Sequence, residues 1–414
     1  MLDRTTLERE GAHAAPQPAE TLASPVAARR PMLLTLIVAS ALSPLAINIF
    51  LPSMTSIAGD LDAGTAAVGL GLSLYLGAMA ILQLVAGPLS DRYGRRPVML
   101  WGIALFLVGT LICLLARSVE LFLVGRVVQS ASAAGIVLSR AIVRDLYDRD
   151  RSAAMLGYVT MGLAVAPMIG PAIGGVIDTA FGWRWVFILL GGVGVVTFLL
   201  LLFDLSETNR TRGGSMAAQF AAYRALLARG PFWGYAGASA FTSAVFFAFL
   251  GSAPFIAVQV LDMTPAAYGL WFMLCSVGYI TGNFSTARLS ERLGLRRLIL
   301  AGTLVSLGAS LATLAFFALG QVNALTLFAP MMMVGFGNGL TIPSATAGAV
   351  SVRPDAAGAA AGLSGALQIG TGALVSVIAA TVAGHPVLVG FVMSAVALIG
   401  VLFAASLGRP RAVA

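Results

Sequence analysis

Apolar residues run through this chain in twelve long blocks, and polar and charged residues collect between them. The blocks fall near 32–52, 66–88, 97–116, 119–141, 153–177 and 184–204, then near 232–258, 266–288, 297–319, 322–346, 357–383 and 386–408. About 20 residues at 1.5 Å rise cross a ~30 Å hydrocarbon core, so each block predicts a transmembrane helix. The connections are short except for one, at 205–230, which divides the blocks six and six. It holds Glu207, Arg210, Arg212, Gly213, Gly214, Arg224 and Arg229. The pattern predicts an all-α polytopic membrane protein: a disordered tail at 1–30, a six-helix bundle over 31–204, a linker at 205–230, a second six-helix bundle over 231–408 and a tail at 409–414.

A polar phrase repeats between the two halves. LSDRYGRR at Leu89 to Arg96 returns 200 positions later as LSERLGLR at Leu289 to Arg296, with Glu291 matching Asp91. A charged phrase that recurs at half the chain length points to duplication, and so to two pseudo-symmetric bundles.

Composition changes this picture little. The chain is 58% hydrophobic and 10% charged with a mean hydropathy of +0.92, which excludes a soluble globular domain. The net charge of +8 comes from arginine alone, since the sequence has no lysine. Those arginines sit in short loops, a placement that suits an anionic membrane face and not nucleic acid. With a cytoplasmic N-terminus, every arginine lies on the cytoplasmic side except Arg117, Arg184 and the intramembrane Arg126. The positive-inside rule therefore puts both ends in the cytoplasm. Cys113 and Cys275 lie inside apolar blocks and read as packing residues. Histidine occurs only at His13 and His385, so metal or histidine catalysis has no footing. A phosphate-binding GxxxxGK loop cannot occur without lysine, so ATP is not the direct energy source.

The repeated phrase contains residues that an anchor does not need. Gly87 and Pro88 are expected to close the second block, and Gly94 to permit the tight turn after it. Asp91 stands among Arg92, Arg95 and Arg96, with Asp145 near the end of the fourth block as a further acidic partner. Arg92 and Arg96 fit a basic topological anchor as well as a gate. Gly87, Asp91 and Gly94 fit a gate better. In the fifth block, Gly170, Gly174 and Gly175 with Pro171 describe either tight packing or a bent seam on which two halves rock. The eleventh block, with Gly358, Gly362, Gly365, Gly370 and Gly372, is its counterpart.

Polar residues inside the blocks mark a candidate substrate or proton path, because each is costly in lipid. Arg126 leads, about two turns into the fourth block, with Gln129 on the same face. Snorkelling to the interface is the alternative for Arg126. Asn48, Tyr75, Gln83, Tyr158, Gln259, Asn283, Asn338 and Gln368 are further candidates, each also explicable as a helix-to-helix hydrogen bond. Phe241, Phe246, Phe247 and Phe249 read either as an apolar binding wall or as lipid-facing rings.

Several of these segments resemble a known family. Gly87 to Pro97, GPLSDRYGRRP, is similar to the signature loop of the major facilitator superfamily. Gly170-Pro171-Ala172-Ile173-Gly174-Gly175 resembles the GPxxGG run of its antiporters, with Ala166 where that motif often begins with Gly. Pro44 to Pro52, Arg144 to Tyr147 and Ala357 to Leu363 resemble the bicyclomycin- and chloramphenicol-resistance branch of twelve-helix drug:proton antiporters. The resemblance implies alternating access driven by the proton gradient with no cofactor. It also implies a small amphiphilic cargo, a monomer in the bacterial inner membrane, and a part for Arg126 in proton coupling. Relatives carry Asp where Asn48 stands, and no acid lies near the middle of any block. The titrating groups are then boundary acids such as Asp91, Asp145 or Asp178, or coupling runs through Arg126. Three readings follow: a proton-coupled exporter, a metabolite importer or facilitator, and a non-transporting membrane protein. The sparse polar inventory and the Gly-Pro run favour the first.

Overall fold

Every span of the computed structural model is a helix, and no strand occurs among the described residues, which are 31–147, 149–209 and 216–408. The predicted tails at 1–30 and 409–414, and Arg210, Arg212, Gly213 and Gly214 of the linker, lie outside them. The first six helices are Leu33–Asp60, Thr65–Tyr93, Arg95–Leu115, Val119–Leu146, Arg149–Phe181 and Trp183–Asp204. The second six are Gly230–Val260, Pro265–Leu293, Leu295–Ala318, Ala324–Ser351, Pro354–Thr381 and Pro386–Ser406. Eleven of these are both long and apolar enough to cross a membrane. The eighth helix equals the second in length at 29 residues, but it carries Tyr279, Asn283, Arg288, Glu291 and Arg292, which lower its apolarity.

Proline and small polar residues set the breaks. Pro52 opens a 3₁₀ turn at Leu51–Ser53 that splits the first helix, because its ring removes a backbone donor. A second 3₁₀ turn, Ser130–Ser132, splits the fourth without a proline, and both serine hydroxyls donate back to carbonyls of the preceding turn. Pro254 precedes a π turn at Ile256–Val260 that ends the seventh. One expectation is corrected: Gly87 and Pro88 do not close the second helix, which runs through both to Tyr93. Gly94 is what ends it, at φ +106°. The linker also contains a helix, Met216–Leu227, whose Tyr223 donates to the Leu84 carbonyl at 3.2 Å.

Helices from opposite halves meet most extensively at two places, fifth against eighth and second against eleventh, with smaller contacts of the seventh helix on the first and second and of the eighth on the first. Ser73 and Ser376 share a hydrogen bond of 2.7 Å across the second of these seams. The two halves are sealed most completely at the end away from the charged loops. There, Ala46 to Met54 of the first helix and Phe247 to Pro254 of the seventh are buried without interruption. A helix buried on every face has neighbours all round it, so no water path runs beside either segment.

Candidate functional site

Arg126 is the largest fully buried side chain among the described residues, at 0% exposure, so it does not snorkel. Its position follows from the fourth helix, which turns this face toward the first and second helices. Nε donates to the Gly71 carbonyl at 3.3 Å and Nη1 to the Ala46 carbonyl at 3.2 Å. Nη1 also donates to Gln129 Oε1, one turn along the helix. The guanidinium lies over the Phe50 ring at 4.0 Å and the Tyr75 ring at 4.6 Å. Nη2 has no partner. A buried charge normally calls for a counter-ion. Here carbonyl dipoles and ring faces stand in for it.

The surroundings of Arg126 form a continuous polar chain. Gln129 Nε2 donates to Thr110 Oγ1 of the third helix at 2.8 Å, and Thr110 donates to the Phe106 carbonyl. The Tyr75 hydroxyl sits between Ser43 at 2.8 Å and Ser132 at 2.7 Å. Four helices thus hold one another through small hydroxyls. Ser43, Thr110 and Ser132 were not singled out in the sequence, where such residues inside apolar blocks look like ordinary packing.

Asn48 lies close by but faces elsewhere. It is buried, its Nδ2 donates to the Pro44 carbonyl at 2.8 Å, and its Oδ1 has no partner. Its Cβ packs against Gly170 of the fifth helix. The Gly-Pro run of that helix is a close-packed seam on two sides. A Cβ at Gly174 would fall on the Ile49 carbonyl oxygen of the first helix, and one at Gly175 on the Pro265 carbonyl oxygen of the eighth. Gly269 returns the contact against the Pro171 carbonyl, and Thr179 Oγ1 accepts from the Ala266 amide at 3.2 Å. Asp178 is buried nearby with Ser56 donating to it at 2.7 Å and its other oxygen unpartnered.

At the charged end, Arg95 is the hub. It bonds Asp91 at 2.5 Å, Asp145 at 3.0 Å and Ser90 Oγ at 2.6 Å. Arg96 donates to the Leu202 carbonyl, while Arg92 is exposed over the Tyr93 ring. Glu207, read in the sequence only as part of a linker, accepts from the backbone amides of Arg95 at 2.9 Å and Arg96 at 3.3 Å. A carboxylate at a helix N-terminus satisfies otherwise orphaned amides and meets the positive end of the dipole. A Cβ at Gly94 would strike that carboxylate. One exposed ion pair is worth ~0.2–1 kcal/mol, but this network ties the second, third, fourth and sixth helices together. Glu291 has no ion pair among the described residues.

The remaining candidates are scattered. Gln83 faces Gly365 across the second seam, and Tyr158 is 49% exposed on the fifth helix. Asn283 donates to the Tyr279 carbonyl at 2.8 Å. Asn338 is buried with an unpartnered Oδ1, and Gln368 is half-buried. Phe247 and Phe249 are buried, and with Phe246 they join Phe272, Phe328 and Tyr268 in one aromatic cluster inside the second half. Arg140, inside the predicted block at 119–141, lies within the fourth helix, which continues to Leu146.

Comparison with known proteins agrees with this architecture. Residues 36–380 match the Major Facilitator Superfamily. Multidrug resistance protein D of Escherichia coli (strain K12) is 32% identical over 362 residues, 83% of this chain and 87% of that protein. A bicyclomycin resistance protein homolog of Haemophilus influenzae is 30% identical over 388 residues, covering 89% and 94%. Among solved structures, a bacterial homologue of the human lysosomal transporter Spinster, inward-facing and unoccupied, superposes with a TM-score of 0.66. That match covers 91% of this chain and 98% of the other at 16% identity, a likeness of fold.

Proposed function

This chain belongs to the Major Facilitator Superfamily, and from that premise we propose that it is a proton-coupled exporter of small amphiphilic compounds. It is a multi-pass membrane protein. Its work is alternating access: two six-helix bundles rock about a central site and open it to each side in turn. The observation that carries this reading is the asymmetry of the two ends. One end is sealed between the halves by backbone contact of the fifth and eighth helices, whereas the ion pairs around Arg95 at the other end join helices of the first bundle only and leave the halves unlatched there. Such a difference suits a molecule resting in one of two access states. The names of the two relatives, multidrug resistance and bicyclomycin resistance, support export of drug-like molecules.

The inward proton gradient supplies the work with no cofactor, since each charge moved down 100 mV yields about 2.3 kcal/mol. Asp178, buried with one free oxygen beside the moving seam, is the acid best placed to take and lose a proton. The protein works as a monomer in a bacterial inner membrane, with the charged end and both termini in the cytoplasm. Drug accumulation in a strain lacking its main pumps tests the function. Expression should lower accumulation, and collapsing the proton gradient should restore it. Unchanged accumulation in both conditions would sink the exporter reading. Orientation is tested with single cysteines, against a background in which Cys113 and Cys275 are buried. A cysteine replacing Arg117 should react with an impermeant thiol reagent on intact cells, and one replacing Arg292 only after permeabilisation. The reverse pattern overturns the assignment of sides.

A further inference from the structure

We propose that Arg140 and Arg144 form a recognition site for the anionic group of an amphiphilic cargo, a carboxylate or sulfonate entering from the charged end. This deepens the transport reading and rests on it for its setting, but its test is separate. From Ala133 to Val143 the fourth helix is buried at every position except Val137 and Arg140, and the next exposed residue is Arg144. Spacings of three and four put these side chains on one helical face. Open space therefore lies along that face alone, and it carries two positive charges one turn apart.

Neither arginine has a hydrogen bond or ion pair among the described residues. The ionisable side chains acting on Arg140 are Arg144 and Tyr279 of the eighth helix. The nearest acid in sequence, Asp145, is taken by Arg95 and Thr208. Arg140 lies six residues before the end of its helix at Leu146, about 9 Å along the axis. It lies near Tyr279, the middle residue of the eighth helix. Arg144 lies against Gly358, its Nη1 3.3 Å from where a Cβ would stand, so the eleventh helix leaves room beside it.

Two adjacent like charges repel each other, and neither has a built-in counter-ion among the described residues. An entering anion relieves both penalties at once. A guanidinium presents a planar fork of donors that matches a carboxylate with two parallel bonds. Tyr279 of the eighth helix, with Asn283 one turn along the same helix, lies near Arg140. The amphiphile's apolar body would lie deeper, between the halves.

The test uses full-length protein in nanodiscs of uncharged lipid and equilibrium dialysis of a matched pair, 2-naphthoate and 2-naphthamide. Wild type should prefer the carboxylate on the order of tenfold, the size of one charge-assisted bond. Arg140→Gln should bring the preference close to unity while naphthamide binding stays as in wild type, and Arg140→Lys should retain part of it. Arg144→Gln carries the same test if Arg140→Gln does not insert. The proposal is overturned by a wild type that does not favour naphthoate, or by a preference that survives both glutamine variants. Failed drug export with the naphthoate preference intact would instead remove the exporter reading and leave the site standing.

Discussion

The two copies of the repeated loop have the same backbone and different bonds. In each, a long helix ends on a glycine with positive φ, Gly94 at +106° and Gly294 at +75°, and the next helix starts at the following residue. In the first copy, Asp91, Asp145 and Glu207 arrive from three elements and converge on Arg95 and the start of the third helix. In the second, Arg296 donates to the Leu407 carbonyl at 2.7 Å and Glu291 stays unpaired. The partners are missing from the sequence itself. The tenth helix closes on SATAGAVS with no acid, and residues 407–414 after the twelfth helix include none. Local sequence thus sets the turn, and distant residues decide whether it is latched. The charge asymmetry goes deeper. Met331, as far into the tenth helix as Arg126 is into the fourth, is a buried apolar side chain.

The widest gap between the copies should come from their acids. Asp91→Asn should cut transport about tenfold or more at unchanged abundance, because it removes a charged partner of the hub, while Glu291→Gln should stay within about twofold. Equal losses measured at matched membrane levels would reduce the first loop to an anchor like the second. Next come the glycines. Alanine at either carries backbone strain of ~1–3 kcal/mol, but only at Gly94 would the new Cβ also strike a neighbour, Glu207. Gly94→Ala should therefore lower the thermal unfolding midpoint more than Gly294→Ala, and a reversed order would break the latch picture. The smallest effect belongs to Glu207→Gln, which keeps an acceptor but loses the charge at the helix start, worth about 0.3–1 kcal/mol. Its deficit should shrink as salt is raised. A salt-independent deficit would mean that Glu207 acts by packing.

Much of this was legible in the sequence. The twelve spans came from hydropathy, the turn at Gly94 from a glycine between charges, and the pairing of Arg126 with Gln129 from helical spacing. What escaped reading has a common cause. Glu207 caps a helix that begins 112 positions earlier, and no local pattern announces a partner at that separation. The end of the fourth helix is a further case: hydropathy fades near 141 at the charged residues of RAIVRD, although the helix continues to Leu146. The second helix likewise passes through Gly87 and Pro88, since the residues beyond them still complete helical hydrogen bonds, up to Gly94 N to Ser90 O at 2.9 Å. Which face of Asn48 meets a neighbour depended on the fifth helix, whose approach only the folded chain defines.

Arg126 carries one more consequence, for ion leak. A pathway that admits cargo between two bundles also offers hydrated cations a route down the membrane potential. A fixed positive charge neutralised only by carbonyl dipoles and ring faces still projects its field into that route. At about 10 Å and an effective dielectric near 20, a monovalent cation is disfavoured by about 1.7 kcal/mol, more than a tenfold reduction in its occupancy. A carboxylate partner would erase this fence by cancelling the charge. The same lack of a counter-ion that makes Arg126 expensive to bury leaves its field uncancelled, for as long as the first, second and fourth helices stay packed around it.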